Sequence, residues 1–193
     1  MKALPASAWP VLIGAAVMLS VAMGLRQSLG IFMQPAVQDL GIAVSQFTLA
    51  IAVQNLLWGF AQPFTGAFAQ KWGFRPVMTA GAVLYVAGMA LFMLAGGMVG
   101  IMLGAGVLVG MALACTASAM GMSVASRAVP PAVRSTVLGV VSAFGSLGSA
   151  FAAPIGQVVM EGWGWRMGVA AFVILAAMML PAAWIAGRAD RIP

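Results

Sequence analysis

From residue 46 to residue 95 the chain reads QFTLAIAVQNLLWGFAQPFTGAFAQKWGFRPVMTAGAVLYVAGMALFMLA. Two apolar runs, at about 46–69 and 76–95, flank Lys71-Trp72-Gly73-Phe74-Arg75-Pro76, a tight basic turn. An α-helix rises about 1.5 Å per residue, so about 20 apolar residues cross the hydrocarbon of a bilayer. Both runs are long enough, and the charges gather where the chain must reverse. The stretch predicts two membrane-spanning helices joined by a short loop at one membrane surface.

The pattern repeats on either side. Further apolar runs cover about 9–33, 99–124, 135–158 and 167–186, which makes six spans and an all-α, polytopic bundle over residues 1–193. The breaks have their own chemistry. Gln34-Pro35-Ala36-Val37-Gln38-Asp39 closes the first span, and Gly96-Gly97 divides the third from the fourth. Pro130-Pro131, between Arg127 and Arg134, cannot continue a helix. Glu161-Gly162-Trp163-Gly164-Trp165-Arg166 reads as an interfacial turn with two Trp at headgroup level. Lys2 precedes the first run, which is too long for the apolar part of a cleaved signal, about 7–15 residues, so it reads as a span.

Composition agrees with lipid as the solvent. The 193 residues are 63% apolar and 6% charged, whereas a soluble domain has roughly a quarter of its residues charged. The net charge is +6, but the nine Lys and Arg lie singly or in pairs. No basic face is built for a nucleic acid. There is no His, and the lone Cys115 sits inside an apolar run. Disulfide frameworks, Cys/His zinc sites and Ser-His or Cys-His catalysis are therefore not expected, nor is any cofactor. No catalytic cluster stands out, so the chain does not read as an enzyme.

Charge sets the expected direction. With both termini cytoplasmic, the inner segments hold Lys2, Lys71, Arg75, Arg127, Arg134, Arg188 and Arg191. The outer loops hold Arg166, with Asp39 and Glu161. That is the positive-inside bias of a protein in the cell's inner, cytoplasmic membrane.

Small residues recur at helical spacing. Gly106, Gly110, Ala114 and Ser118 form one stripe of the fourth span, and Gly145, Ser149 and Ala153 one of the fifth, beside Gly148, Ala152 and Gly156. Such stripes let helix backbones approach closely in lipid, and they also suit helices that slide.

The polar residues inside the spans carry the functional reading. Arg26 lies about eight residues before the outer end of the first span, roughly 12 Å deep. An Arg at a helix centre costs at least about 2.5 kcal/mol, so it is expected to face the bundle or a watery cavity. Two roles are open: a substrate or gating group, or a snorkelling or helix-bridging one. Ser20, Gln27 and Gln34 repeat every seven residues on the first span, and Thr48, Asn55 and Gln62 on the second, with Gln54, Trp58 and Thr65 alongside. The two stripes would line one polar surface or bond helix to helix. No Asp, Glu or His falls within the six predicted runs, so no side-chain proton relay is expected.

Gly66-Ala67-Phe68-Ala69-Gln70-Lys71-Trp72-Gly73-Phe74-Arg75 resembles the loop signature of the major facilitator superfamily, Gly-x-Leu-x-Asp-Arg-x-Gly-Arg-Arg/Lys, at the place where that family carries it. Gly66, Lys71, Gly73 and Arg75 match in place or conservatively, and Gln70 stands where the family has an Asp that latches the inner gate. Gly24-Leu25-Arg26-Gln27-Ser28-Leu29-Gly30-Ile31-Phe32 looks like the first helix of monocarboxylate and oxalate/formate exchanger-like carriers. Pro130-Pro131-Ala132-Val133-Arg134-Ser135-Thr136-Val137-Leu138-Gly139 and Gly164-Trp165-Arg166 look like the starts of that group's fifth and sixth helices.

The resemblance implies one six-helix half of a twelve-span carrier. It would move a small organic anion, a carboxylate, by alternating access against a second bundle. That bundle would be a second copy, as a parallel homodimer, or a separate C-terminal half. Arg26 would bind the anion with Gln27, Gln34, Gln54 and Asn55 as neutral donors, and Gly66, Gln70, Lys71, Gly73 and Arg75 would form the gating loop. The alternative is a non-transporting membrane module, an inactive half that needs a partner bundle.

Overall fold

The computed structural model describes residues 8–191. Lys2 and the side chain of Arg191, both counted above with the inner charges, lie outside the description. Most of the described residues are helical, with no strand among them. Six helices are long and apolar enough to cross a membrane: α1 Ala8–Leu40, α2 Val44–Trp72, α3 Phe74–Met93, α4 Met98–Arg127, α5 Pro131–Trp163 and α6 Trp165–Asp190. Most outrun the apolar runs because backbone hydrogen bonding continues where side chains turn polar at the headgroups. Asp39 and Glu161 thus fall in the last turns of α1 and α5.

Two reversals are made by single glycines. Gly73 between α2 and α3 has φ +95°, and Gly164 between α5 and α6 has φ +85°. Only glycine adopts these angles cheaply, so the basic turn and the Trp-rich turn reverse the chain within one residue.

The core forms where α1, α3, α4 and α6 meet. Phe32 packs edge-on against Phe92 and Phe172, at centroid distances of 6.4 and 5.0 Å. Tyr85 is fully buried, and its hydroxyl donates to the Ala22 carbonyl at 2.9 Å, joining α3 to α1. Burial is uneven. In α1 and α4, 61% and 56% of the apolar stretch is buried, against 22% and 17% in α2 and α5.

The small-residue stripes do pack closely. A Cβ on Gly110 would come within 2.8 Å of the Gln54 carbonyl oxygen, and one on Gly106 within 3.0 Å of that of Ala50. α4 therefore lies against α2 almost backbone to backbone. A Cβ on Gly24 would meet the Gly148 carbonyl oxygen at 2.5 Å, and one on Gly148 would overlap the Ser20 carbonyl, so α1 and α5 are equally intimate.

α4 is not one continuous α-helix. Met102–Leu108 is π-helical, and the chain is extended at Ala117 before helix resumes over Ser118–Arg127. Side chains of α2 bond to carbonyls beside these irregularities. Gln54 Nε2 donates to Ala105 O at 2.7 Å, and Thr65 Oγ1 donates to Ala114 O at 2.8 Å. Inside a membrane no water is at hand for a backbone oxygen with a spare acceptor site, and Gln54 and Thr65 of α2 supply donors to these two.

The two ends of the bundle are tied differently. At the predicted outer end Asp39 Oδ2 accepts from Trp165 Nε1 at 3.1 Å and pairs with Arg166 Nη2 at 3.2 Å. Arg166 Nη1 donates to Met93 O at 2.8 Å. α1, α3 and α6 are joined there. Trp165 is consequently buried, while Trp163 is 71% exposed, so one Trp of this turn faces outward rather than two. At the predicted inner end Asp190 accepts from the backbone N–H of Phe74 at 2.7 Å and of Arg75 at 3.0 Å, capping the start of α3 from the end of α6.

Candidate functional site

α1 and α2 meet near their shared turn at Gly41 and then diverge. The wedge between them holds a cavity of about 360 Å³ lined by Arg26, Gln27, Gly30, Phe47, Thr48 and Gln54, among others. The stripes of the two helices thus face each other, though not in full.

The first stripe splits. Leu29–Phe32 is a tighter 3₁₀ turn, placed just before Pro35, whose ring and missing N–H disrupt the regular helix behind it. The tighter winding shifts the angular phase. Gln27 lines the cavity, while Gln34 is exposed beyond it and is not among the lining residues. Ser20 faces α5 instead and lines a separate crevice with Gly148 and Phe151. The second stripe divides as well. Thr48 lines the cavity, Asn55 bonds to Arg26, and Gln62 belongs to a smaller pocket nearer the predicted inner end.

Arg26 is the centre of the arrangement. Its Nη2 donates to Asn55 Oδ1 at 2.5 Å and bridges the wedge. Its guanidinium lies over the Trp58 ring, 4.7 Å from the centroid. Its Nε–H is buried without an acceptor among the described residues. A cation stacked on an aromatic face is held in plane, so its remaining N–H groups, Nε–H among them, point in defined directions.

Gln54 is 1% exposed. One of its two amide N–H groups donates to Ala105 O, and Oε1 has no donor among the described residues. Toward a ligand it offers an acceptor, Oε1, beside the second N–H of the amide. Trp58 Nε1 is likewise buried without an acceptor. The sequence placed Trp58 beside the polar stripe and gave it no role; the i, i+3/i+4 spacing from Gln54 and Asn55 was the available signal.

The expected gating residues lie apart from this cavity. Gly66 and Gln70 line the pocket of about 80 Å³ with Gln62, Thr65 and Ser123. Lys71 is exposed, and its ammonium lies 5.4 Å from the Trp72 centroid. Gly73 makes the reversal, and a Cβ there would strike the Asp190 carboxylate at 2.8 Å. Arg75 stacks on Trp184 of α6, 3.2 Å from the centroid, and Arg127 sits over Phe74. The acid at this end is Asp190, from the far end of the described chain. Sequence alone gave no sign of this pairing, because 115 residues separate the partners.

Comparison with known proteins agrees with this architecture. A family model described as Major Facilitator Superfamily matches residues 11–192. The protein named monocarboxylate transporter 3 is 28% identical in Mus musculus and 27% identical in Rattus norvegicus, each over 176 residues. The matched region is 89% of this chain and 34% of each relative, so the chain spans about a third of the relatives' length. With six apolar helices and a family match over nearly its whole length, this multi-pass membrane chain belongs to the major facilitator superfamily.

Proposed function

We propose that the α1–α2 cavity binds a small organic anion, a carboxylate, and that the chain works as one bundle of a secondary carrier operating by alternating access. The observation that carries this reading is Arg26. A guanidinium costs free energy at membrane depth unless it has a partner or a purpose, and this one borders a cavity with its Nε–H free. Charge-assisted bonds to Arg are the strong way to hold a carboxylate. Gln27 stands on the same cavity wall. The two relatives named as monocarboxylate transporters favour the same substrate class.

The weakly buried α2 and α5 support a second bundle packing against this one. It is either a second copy in parallel orientation or a separate C-terminal half. The basic residues at one end support cytoplasmic termini in an inner membrane. Asp39, Glu161 and Asp190 lie at helix ends, so exchange or facilitated diffusion fits better than a side-chain proton relay through this bundle.

The test is carboxylate binding to purified protein in lipid nanodiscs. Arg26→Ala is expected to weaken binding about 10- to 100-fold, the range for losing hydrogen bonds to a charged group. Arg26→Lys should also weaken it, because the planar fork is lost. Unchanged affinity in both variants would remove the anion site. Uptake by reconstituted protein separates a carrier from a non-transporting module.

A further inference from the structure

One edge of the Arg26 guanidinium is already half taken. In a guanidinium, Nε and the distal Nη2 carry near-parallel N–H bonds on one edge, spaced to meet the two oxygens of a carboxylate. Here Nη2 is bonded to Asn55 Oδ1 while the neighbouring Nε–H has no acceptor among the described residues. The Asn55 amide is not free to turn away. Its Nδ2 donates to Ile51 O, one turn back on α2, at 2.9 Å. That bond, and the cation in front of it, aim the amide oxygen at Arg26. Trp58 fixes the guanidinium plane from the other side.

From this geometry we infer that Asn55 is an internal stand-in for the substrate carboxylate. It occupies the Nη2 half of the fork and is displaced when an anion docks on Nε and Nη2 together. The inference rests on the anion-site reading above and reverses the role that the sequence led us to expect for Asn55. As a neutral donor it would add to affinity, whereas as a competing acceptor it lowers affinity. A neutral amide oxygen is a weaker acceptor for Arg than a carboxylate, so the exchange favours the substrate. When the anion leaves, the amide returns, and the cation is not left unpaired at membrane depth. An Asp at this position would be a poor stand-in, because a fixed ion pair would hold the fork against any incoming carboxylate.

The experiment is titration of the purified chain, residues 1–193, in lipid nanodiscs with acetate and with malonate as probe carboxylates. Wild type, Arg26→Ala, Asn55→Ala, Asn55→Ser and Asn55→Asp are compared. Removing the competitor is expected to tighten binding about five-fold in Asn55→Ala, the equivalent of one net hydrogen bond. Asn55→Ser, whose short side chain falls back from the fork, should tighten it in the same sense and serves if the alanine variant does not fold. Asn55→Asp should abolish measurable binding of both probes while raising thermal stability. Weaker or unchanged binding in Asn55→Ala and Asn55→Ser, with wild-type binding that Arg26→Ala removes, overturns the stand-in and leaves the anion site in place. Wild type that binds neither probe overturns both.

Discussion

α1 shows two different faces to its neighbours. Toward α5 it packs through glycine, with Gly24 and Gly148 so close that backbone meets backbone. Toward α2 it opens a wedge spanned by the Arg26–Asn55 bond and a cavity of about 360 Å³. One face is scaffold and the other is site. Close packing on the first face holds Arg26 at a fixed place on the second. In lipid there is no hydrophobic drive between helices, so such rigidity comes from dispersion and close approach.

The sharpest way to break this contrast is to fill the closed face. Gly148→Val would push a side chain into the Ser20 carbonyl, and backbone cannot move aside as a flexible side chain can. We expect a loss of about 3 kcal/mol or more, in the upper range for overpacking. It would read as a large fall in midpoint temperature or as failure to accumulate folded protein. A variant with wild-type thermal stability would mean that α1 and α5 are not in fixed contact.

A smaller effect tests the floor of the open face. Gln54→Leu removes the donor to Ala105 O beside the π-helical segment of α4. Leaving a buried carbonyl without its side-chain partner costs about 2 kcal/mol. Thermal unfolding in detergent should register it, and hydrogen exchange of Met102–Leu108 should rise if the bond holds that segment. No change in either would assign Gln54 to the cavity alone.

Two binding predictions sharpen the division between the faces. Gln27→Ala, on the cavity wall, should weaken carboxylate binding about five-fold, as for loss of one hydrogen bond. Ser20→Ala should leave binding unchanged. Ser20 shares the seven-residue spacing with Gln27 but lines the crevice against α5. A binding defect in Ser20→Ala as large as that of Gln27→Ala would return it to the site and undo the split of the stripe.

Much of the fold was legible before any coordinates. Apolar runs of span length, interrupted by Gly, Pro and charge, mark six helices, because lipid tolerates few other backbones. Gly73 and Gly164 already stood in the turns that they make. The depth of Arg26 was legible from simple counting along the run. Less legible was the partition of the polar stripes. A seven-residue repeat assumes a uniform helix, and the 3₁₀ turn at Leu29–Phe32 breaks that assumption on α1. Gln34 and Ser20 consequently part company with Gln27, whereas Thr48 and Asn55 of α2 stay beside Arg26 or its cavity.

The sequence by itself determined that this chain lives in a membrane, how many times it is able to cross, and that one cation sits deep in the first span. Those are properties of composition and of spacing along the chain, which solvent reads locally. Tertiary structure alone decided which polar atoms are spent and which are free. Gln54 gives its N–H to α4, Asn55 turns its oxygen to Arg26, Trp165 is drawn inward by Asp39, and Asp190 caps α3 from the other end of the bundle. The physical reason is that hydrogen-bond satisfaction inside a bilayer is settled between helices. Whether a donor is left for a ligand depends on a partner dozens of residues away.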